Sequence, residues 1–97
     1  MEIIHLEDQD FKKLINEDKI LVDFFATWCG PCKMLSPVLE KVESDIKVVK
    51  VDTDLFEDLA REYGVMSIPT LVLFSKGKEV KRNIGFLDKG RVEEFLK

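Results

Sequence analysis

The stretch Ile20-Leu21-Val22-Asp23-Phe24-Phe25-Ala26-Thr27-Trp28-Cys29-Gly30-Pro31-Cys32-Lys33 decides how this chain folds. Its first seven residues are apolar on both faces apart from Asp23, the pattern of a strand buried between helices. Its second half carries both cysteines and the only tryptophan. Pro31 has the fixed φ suited to a first helical turn. Leu35, Val38, Leu39 and Val42 then share one face at helical spacing. The pattern predicts a helix from Pro31 to Ser44, kinked at Pro37 where one backbone hydrogen bond is lost. A buried strand therefore runs directly into a helix N-terminus, with two sulfurs at the junction.

Working outward, Ile3-Ile4 and Leu6 read as a short first strand. Asp8 is placed to cap a helix carrying Phe11, Leu14 and Ile15 and ending near Asn16 to Lys19. Val48 to Val51 is a further strand. Leu55, Leu59 and Tyr63 mark a short helix stopped by Gly64 in a left-handed cap. Thr70 to Phe74 is strongly apolar, and Ser75-Lys76-Gly77-Lys78 has the composition of a hairpin turn into Glu79 to Ile84. Asp88 caps a last helix with Val92, Phe95 and Leu96 on its inner face. The order βαβαβαββα implies an α/β fold with one mixed sheet, helices on both faces and the hairpin at one side. Residues 1–97 are expected to form a single domain.

With 45% hydrophobic residues among 97, the chain can bury a core without disulfide help. A net charge of −4 and the lack of any basic run argue against a nucleic-acid groove. No apolar stretch approaches the roughly 20 residues of a membrane helix. Met1 to Glu7 has neither a basic region nor a long apolar core, so no secretory signal is read there. The expectation is a cytoplasmic, reducing location, where a lone cysteine pair is more often catalytic or metal-binding than structural.

The loop from Cys29 to Cys32 is too short to be an effective staple, because loop-closure stabilisation grows with loop length. A pair that opens and closes fits better. Only the thiolate attacks a disulfide, so a working cysteine needs its pKa lowered. At a helix N-terminus, Cys29 meets unpaired N–H groups and the positive end of the dipole. Cys32 lies one turn further in and is expected to be less exposed, which makes Cys29 the attacking sulfur and Cys32 the resolving one. Gly30 and Pro31 set the turn, and Lys33 adds positive charge. Half a zinc site is the competing reading, but a tetrahedral site wants four ligands and only His5 offers another.

Asp23 admits two readings of equal weight. Burial raises a carboxylate's pKa, which would let it accept the proton of Cys32 near neutral pH. Alternatively it is satisfied by backbone donors or paired with Lys50. Pro69 in Ile68-Pro69-Thr70 is either a strand-start proline or a cis one. Trp28, Met66, Ile68 and Phe86 can form an apolar rim beside the cysteines. Taken singly each suits core packing better, except Trp28, which adjoins the motif.

The conjunction of Ala26-Thr27-Trp28-Cys29-Gly30-Pro31-Cys32-Lys33, Asp23, Pro37, Lys50-Val51-Asp52, Ile68-Pro69-Thr70 and Gly85 closely resembles the thioredoxin family, from about Ile3 to Leu96. The resemblance implies a thioredoxin fold, with a mixed five-stranded sheet flanked by four helices, and a protein-disulfide reductase activity. It implies catalytic roles for Cys29, Cys32 and Asp23, with Lys50 tuning Asp23. It further implies a cis Pro69 facing the sulfurs, an Ile68 backbone that holds a substrate strand by β-addition, and a Gly85 that leaves room for it. No cofactor beyond the redox-active Cys29–Cys32 disulfide and no metal are implied. The partners implied are disulfide-containing proteins and a separate thioredoxin reductase, NADPH- or ferredoxin-linked, since no Gly-rich phosphate loop follows any strand. Neither nucleic acid nor membrane is expected, and nothing suggests an obligate oligomer. Two departures stand out. Phe25 occupies a position where many relatives carry tryptophan, and Phe86 follows Gly85 where relatives often have a small residue. The competing functions are a disulfide isomerase or oxidant on the same fold, and a redox-gated docking module without turnover.

Overall fold

A computed structural model describes residues 1–97. The elements in chain order are β1 (Ile3–His5), α1 (Phe11–Leu14), β2 (Ile20–Phe25), α2 (Gly30–Lys41), β3 (Lys47–Asp52), α3 (Glu57–Glu62), β4 (Thr70–Ser75), β5 (Lys78–Ile84) and α4 (Lys89–Phe95). They build one five-stranded sheet in the order β1-β3-β2-β4-β5. β1, β3 and β2 run parallel, while β4 is antiparallel to β2 and β5 to β4. The expected mixed sheet with four helices and a terminal hairpin is what forms.

The alternation of side chains along each strand divides the core in two. On one face Ile20, Val22, Phe24, Val49, Val51, Val72 and Phe74 pack with Phe11 and Ile15, closed off by Leu59 and Tyr63 around α3. On the other face Leu21, Val48, Leu71 and Leu73 pack with Leu35 and Leu39 of α2 and Val92 and Leu96 around α4. β2 lies third in the sheet, hydrogen-bonded on both edges and covered on both faces, so Leu21, Val22 and Phe24 are fully buried. β5 is an edge, and its Lys78, Glu79, Lys81 and Arg82 make it a poor template for further strand pairing. No helix is long and apolar enough to cross a membrane.

Local chemistry explains most element ends, and it corrects three expectations. Asp10, not Asp8, caps α1, its side chain accepting from the Lys13 N–H, and α1 is a single turn. The cap is set by which carboxylate lies three residues before a free N–H once Phe11 is buried. α2 stops at Lys41, short of Ser44, because Val42 turns to extended backbone (φ −71°, ψ 124°) while keeping its side chain in the core. Leu55 is 75% exposed and lies before α3 begins, so the inner face of that helix starts at Phe56 instead. Gly64 (φ 66°) ends α3 as expected, and Lys76 (φ 51°) with Gly77 (φ 82°) makes the left-handed two-residue turn of the β4–β5 hairpin. Asp88 caps α4 by accepting from the Arg91 N–H.

Leu39 joins α2 to the sheet and to α4 at zero exposure. Truncation to alanine is expected to lower stability by about 2–5 kcal/mol in urea unfolding, through lost burial and the cavity left behind. A loss under about 1 kcal/mol would mean this face is not close-packed.

Candidate active site

β2 delivers the cysteine motif to the edge of the sheet. After Phe25 the chain turns through Ala26, Thr27 and Trp28, and the Cys29 N–H donates to Ala26 O at 3.3 Å. Cys29 is the N-cap of α2, with extended backbone (φ −85°, ψ 117°). It is disulfide-bonded to Cys32, with a Cα–Cα distance of 5.3 Å. Cys29 Sγ accepts the Cys32 N–H at 3.2 Å, so this sulfur takes the capping place that an oxygen usually fills. Cys32 is buried in the first turn. The exposures of the two cysteines, 5% and 3%, barely differ, so burial does not separate them as expected. What separates them is the cap: the Cys29 sulfur, and not that of Cys32, receives a backbone N–H at the positive end of the helix. Pro31 lies in the first turn and lacks a donor there that would go unused. Gly30 has no left-handed φ, and a Cβ on it would meet nothing within 4 Å. Its contribution is bare backbone at an open surface.

A second segment closes over the disulfide. The Ile68–Pro69 peptide bond is cis and Pro69 is buried. Ile68 O lies 3.8 Å from Cys29 Sγ, and Ile68 packs with Phe25 against Ala26, Cys29 and Cys32. Thr70 Oγ1 donates to Ser67 O at 2.6 Å, fixing the turn before β4. Gly85 (φ 102°) donates its N–H to Pro69 O at 2.8 Å, a backbone conformation in which a side chain would be strained. Trp28, Met66 and Phe86 are 68%, 96% and 39% exposed, so core packing is not their role. The Trp28 indole is held in place nonetheless, because its Nε1 donates to Asp54 Oδ2 at 2.8 Å. Met66 stands out into solvent, and Lys33 is exposed on the first turn of α2.

Beneath the motif, pairing register sets His5, Lys50, Asp23, Leu71 and Asn83 in one row across the sheet, on the face covered by α2 and α4. Asp23 is fully buried, and neither carboxylate oxygen has a hydrogen-bond partner. Lys50 Nζ lies 3.6 Å from Asp23 Oδ2, an ion pair without a hydrogen bond. Lys50 instead donates to Ser36 Oγ at 2.5 Å and stands 4.6 Å above the centre of the Phe25 ring. Burial raises the Asp23 carboxyl from 3.8 to about 6, with the Lys50 ammonium pulling the other way. Of the two sequence readings of Asp23, satisfaction by backbone donors is excluded, while pairing with Lys50 and a raised pKa coexist. A groove of about 300 Å³ runs beside this site, lined by Phe25, Ala26, Thr27, Cys32, Lys33 and Ser36.

Three contributors escaped the sequence reading. Ser36 had a legible signal, since it sits four residues after Cys32 and so shares its face of the helix. Phe25 looked like a simple replacement for a larger ring, yet its face receives the Lys50 ammonium. Asp54 is 26 residues from Trp28 and carried no local signal.

Comparison with known proteins gives one answer throughout. The sequence model of the Thioredoxin family matches residues 2–97. A thioredoxin of Bacillus subtilis is 42% identical over 99% of this chain and 96% of its own length. One from Porphyra purpurea is 47% identical over 99% of this chain and 95% of its own. Among solved structures, a mutant thioredoxin from Halobacterium salinarum superposes with a TM-score of 0.91 at 37% identity, covering 98% of this chain and 88% of that one.

Because the folded protein holds the Asp23 proton more tightly than the unfolded chain, its contribution to stability is fully present below 3.8 and is lost as pH rises through about 6. Urea unfolding of wild type and Asp23→Asn should therefore diverge with pH. The variant's relative stability is expected to improve by about 2 kcal/mol between about pH 4 and about pH 8. A difference that does not change with pH would show that the carboxyl is not raised.

Proposed function

The chain belongs to the thioredoxin family, a thiol–disulfide oxidoreductase of the disulfide-reductase type, and we propose that its cycle runs through Cys29, Cys32 and Asp23. The single observation that carries the assignment of roles is the Cys29 sulfur at the N-cap of α2, accepting the Cys32 N–H at 3.2 Å. A hydrogen-bond donor and a helix dipole aimed at one sulfur favour its anion.

In the reduced protein the Cys29 thiolate attacks one sulfur of a target disulfide. The target S–S bond breaks, one target thiolate leaves, and a mixed disulfide forms with Cys29. Cys32 gives up its proton and attacks the Cys29 sulfur. The second target thiolate then leaves, and Cys29–Cys32 carries the oxidised state, so two electrons have passed to the target. Asp23 is the proton acceptor for Cys32. Its carboxylate, raised to about 6, is basic enough to take a thiol proton and still ionised at neutral pH. Lys50 limits that rise through its charge.

Trp28, Ile68, Pro69, Gly85 and Phe86 form the surface a substrate strand meets, with Met66 at its margin and Gly30, Pro31 and Lys33 shaping the approach to the sulfurs. An extended peptide pairs there with the Ile68 backbone. The exposed Trp28 and Phe86 provide apolar contact, and the Gly85 position keeps the backbone unobstructed. The electrons reside on the cysteine pair itself, without a bound cofactor or metal. Recharging requires a separate reductase, NADPH- or ferredoxin-linked. Residues 1–97 act as one domain and as a monomer, which the charged β5 edge favours. A reducing compartment such as the cytoplasm suits this direction of electron flow.

Replacement of Cys29 by serine is expected to abolish turnover of a disulfide-bonded protein, by at least about a thousandfold, whereas Cys32→Ser should accumulate a mixed disulfide at Cys29 visible by mass spectrometry. Residual multiple turnover in Cys29→Ser, or capture of targets by Cys32 alone, would reverse the roles. In single-turnover kinetics Asp23→Asn should slow release of the mixed disulfide by about 10²-fold while sparing the first attack.

A further inference from the structure

Ser36 lies on α2 one turn beyond Cys32, half-buried, with its hydroxyl engaged by the Lys50 ammonium. An ammonium has three donors, so this contact does not use up its capacity to bond Asp23; what it fixes is where the nitrogen stands. A charge-assisted bond to a carboxylate is stronger than one to a neutral hydroxyl. Yet Lys50 Nζ donates to Ser36 Oγ at 2.5 Å and stops 3.6 Å from Asp23 Oδ2, leaving both buried carboxylate oxygens without a donor. Unsatisfied buried oxygens are uncommon and costly, so a structural cause is required. Lys50 has two other holds, the Ser36 hydroxyl and the Phe25 ring 4.6 Å below.

We propose that Ser36 is a positioning residue for the resolving step: its hydroxyl anchors the Lys50 ammonium at ion-pair distance and keeps it from closing to full hydrogen-bond contact with Asp23. A carboxylate that accepts a hydrogen bond from an ammonium is held ionised and is a poor proton acceptor. One whose ammonium partner is held back at 3.6 Å keeps more of the basicity that burial confers. Ser36 and Cys32 line the same groove, so the anchoring residue borders the space beside the resolving sulfur.

The other groups around Asp23 do not supply this control. Leu71 faces it from β4 and is apolar, and Cys32 and Ser36 on α2 carry no charge in the oxidised protein. Farther along the same face, His5 on β1 is exposed, Asp52 on β3 accepts from the Asp54 N–H at 2.9 Å, and Asn83 on β5 is neutral and donates to Gly85 O. Lys33 is exposed on the first turn of α2. Lys50 is the one charge that acts on the Asp23 carboxyl.

The inference rests on Asp23 as the proton acceptor, and the two can be tested separately. The carboxyl carbon of Asp23, followed by NMR in the oxidised full chain, reports its titration without any catalytic step. Ser36→Ala should lower the midpoint by about one pH unit, as Lys50 closes onto the carboxylate. Ser36→Thr, which keeps the hydroxyl, should retain the wild-type midpoint. Added to Lys50→Met, the Ser36→Ala change should have no effect, because its influence passes through Lys50. A midpoint that stays or rises in Ser36→Ala, or moves equally without Lys50, overturns the anchoring role. Release of a preformed mixed disulfide should slow roughly threefold to tenfold in Ser36→Ala, with first attack unchanged. A lowered midpoint with unchanged release would sink Asp23 as acceptor and Ser36's part in catalysis with it; an unmoved midpoint sinks Ser36 alone.

Discussion

β2 is the constraint on which the rest of this structure depends. It is hydrogen-bonded to β3 on one side and β4 on the other, with helices against both faces. A strand so enclosed has no freedom to slide, since a one-residue slip would exchange its two buried sets of side chains. Whatever leaves its end is therefore aimed. What leaves is the turn that places Cys29 at the N-cap of α2. α2 is in turn fixed by Leu35 and Leu39 packed on the same sheet. Both sulfurs are thus located by two independently anchored elements, and the Ile68–Pro69 segment entering β4 is located by a third.

The same enclosure creates the one energetic anomaly. Asp23 on β2 has no exposure and no hydrogen bond, and burial dominates over the Lys50 charge in setting its titration. A fold selected for stability alone would place a valine there. The cost is tolerable because the two apolar layers on either side of the sheet are extensive, and because the ion pair at 3.6 Å recovers part of it. Carboxyl groups perturbed in this way cluster at functional sites. Lys50 shows the same economy: its ammonium is buried, yet it is shared among a hydroxyl, an aromatic face and a carboxylate.

Much of the fold was legible because its signals are local. The apolar run of β2, the helical spacing from Leu35 to Val42, Gly64 in a left-handed cap and the Asp88 cap each depend on residues a few positions apart. The readings that failed were those in which burial, not propensity, chose between neighbours. Asp8 and Asp10 are equally good caps in isolation, and only the docking of Phe11 selects Asp10. Leu55 fits a helical stripe by spacing, but α3 begins two residues later. Val42 stays in the core although it is no longer helical, so hydrophobic spacing overstated the length of α2.

For the site, short-range sequence signals were enough to pick out the candidate groups: two cysteines two residues apart at a strand–helix junction, an acid inside an apolar strand, and a proline before β4. Those follow from short-range chemistry that no tertiary arrangement alters. Tertiary structure decided how the groups are tuned. The row that sets Lys50 beside Asp23 depends on parallel pairing between strands 27 residues apart in register, Asp23 against Lys50. The diversion of Lys50 to Ser36, the Phe25 ring beneath it and the Asp54 carboxylate on Trp28 join elements that sequence separation keeps independent. Distances near 3 Å decide whether a charge forms a hydrogen bond or merely exerts a field, and they are set only when separate elements pack together.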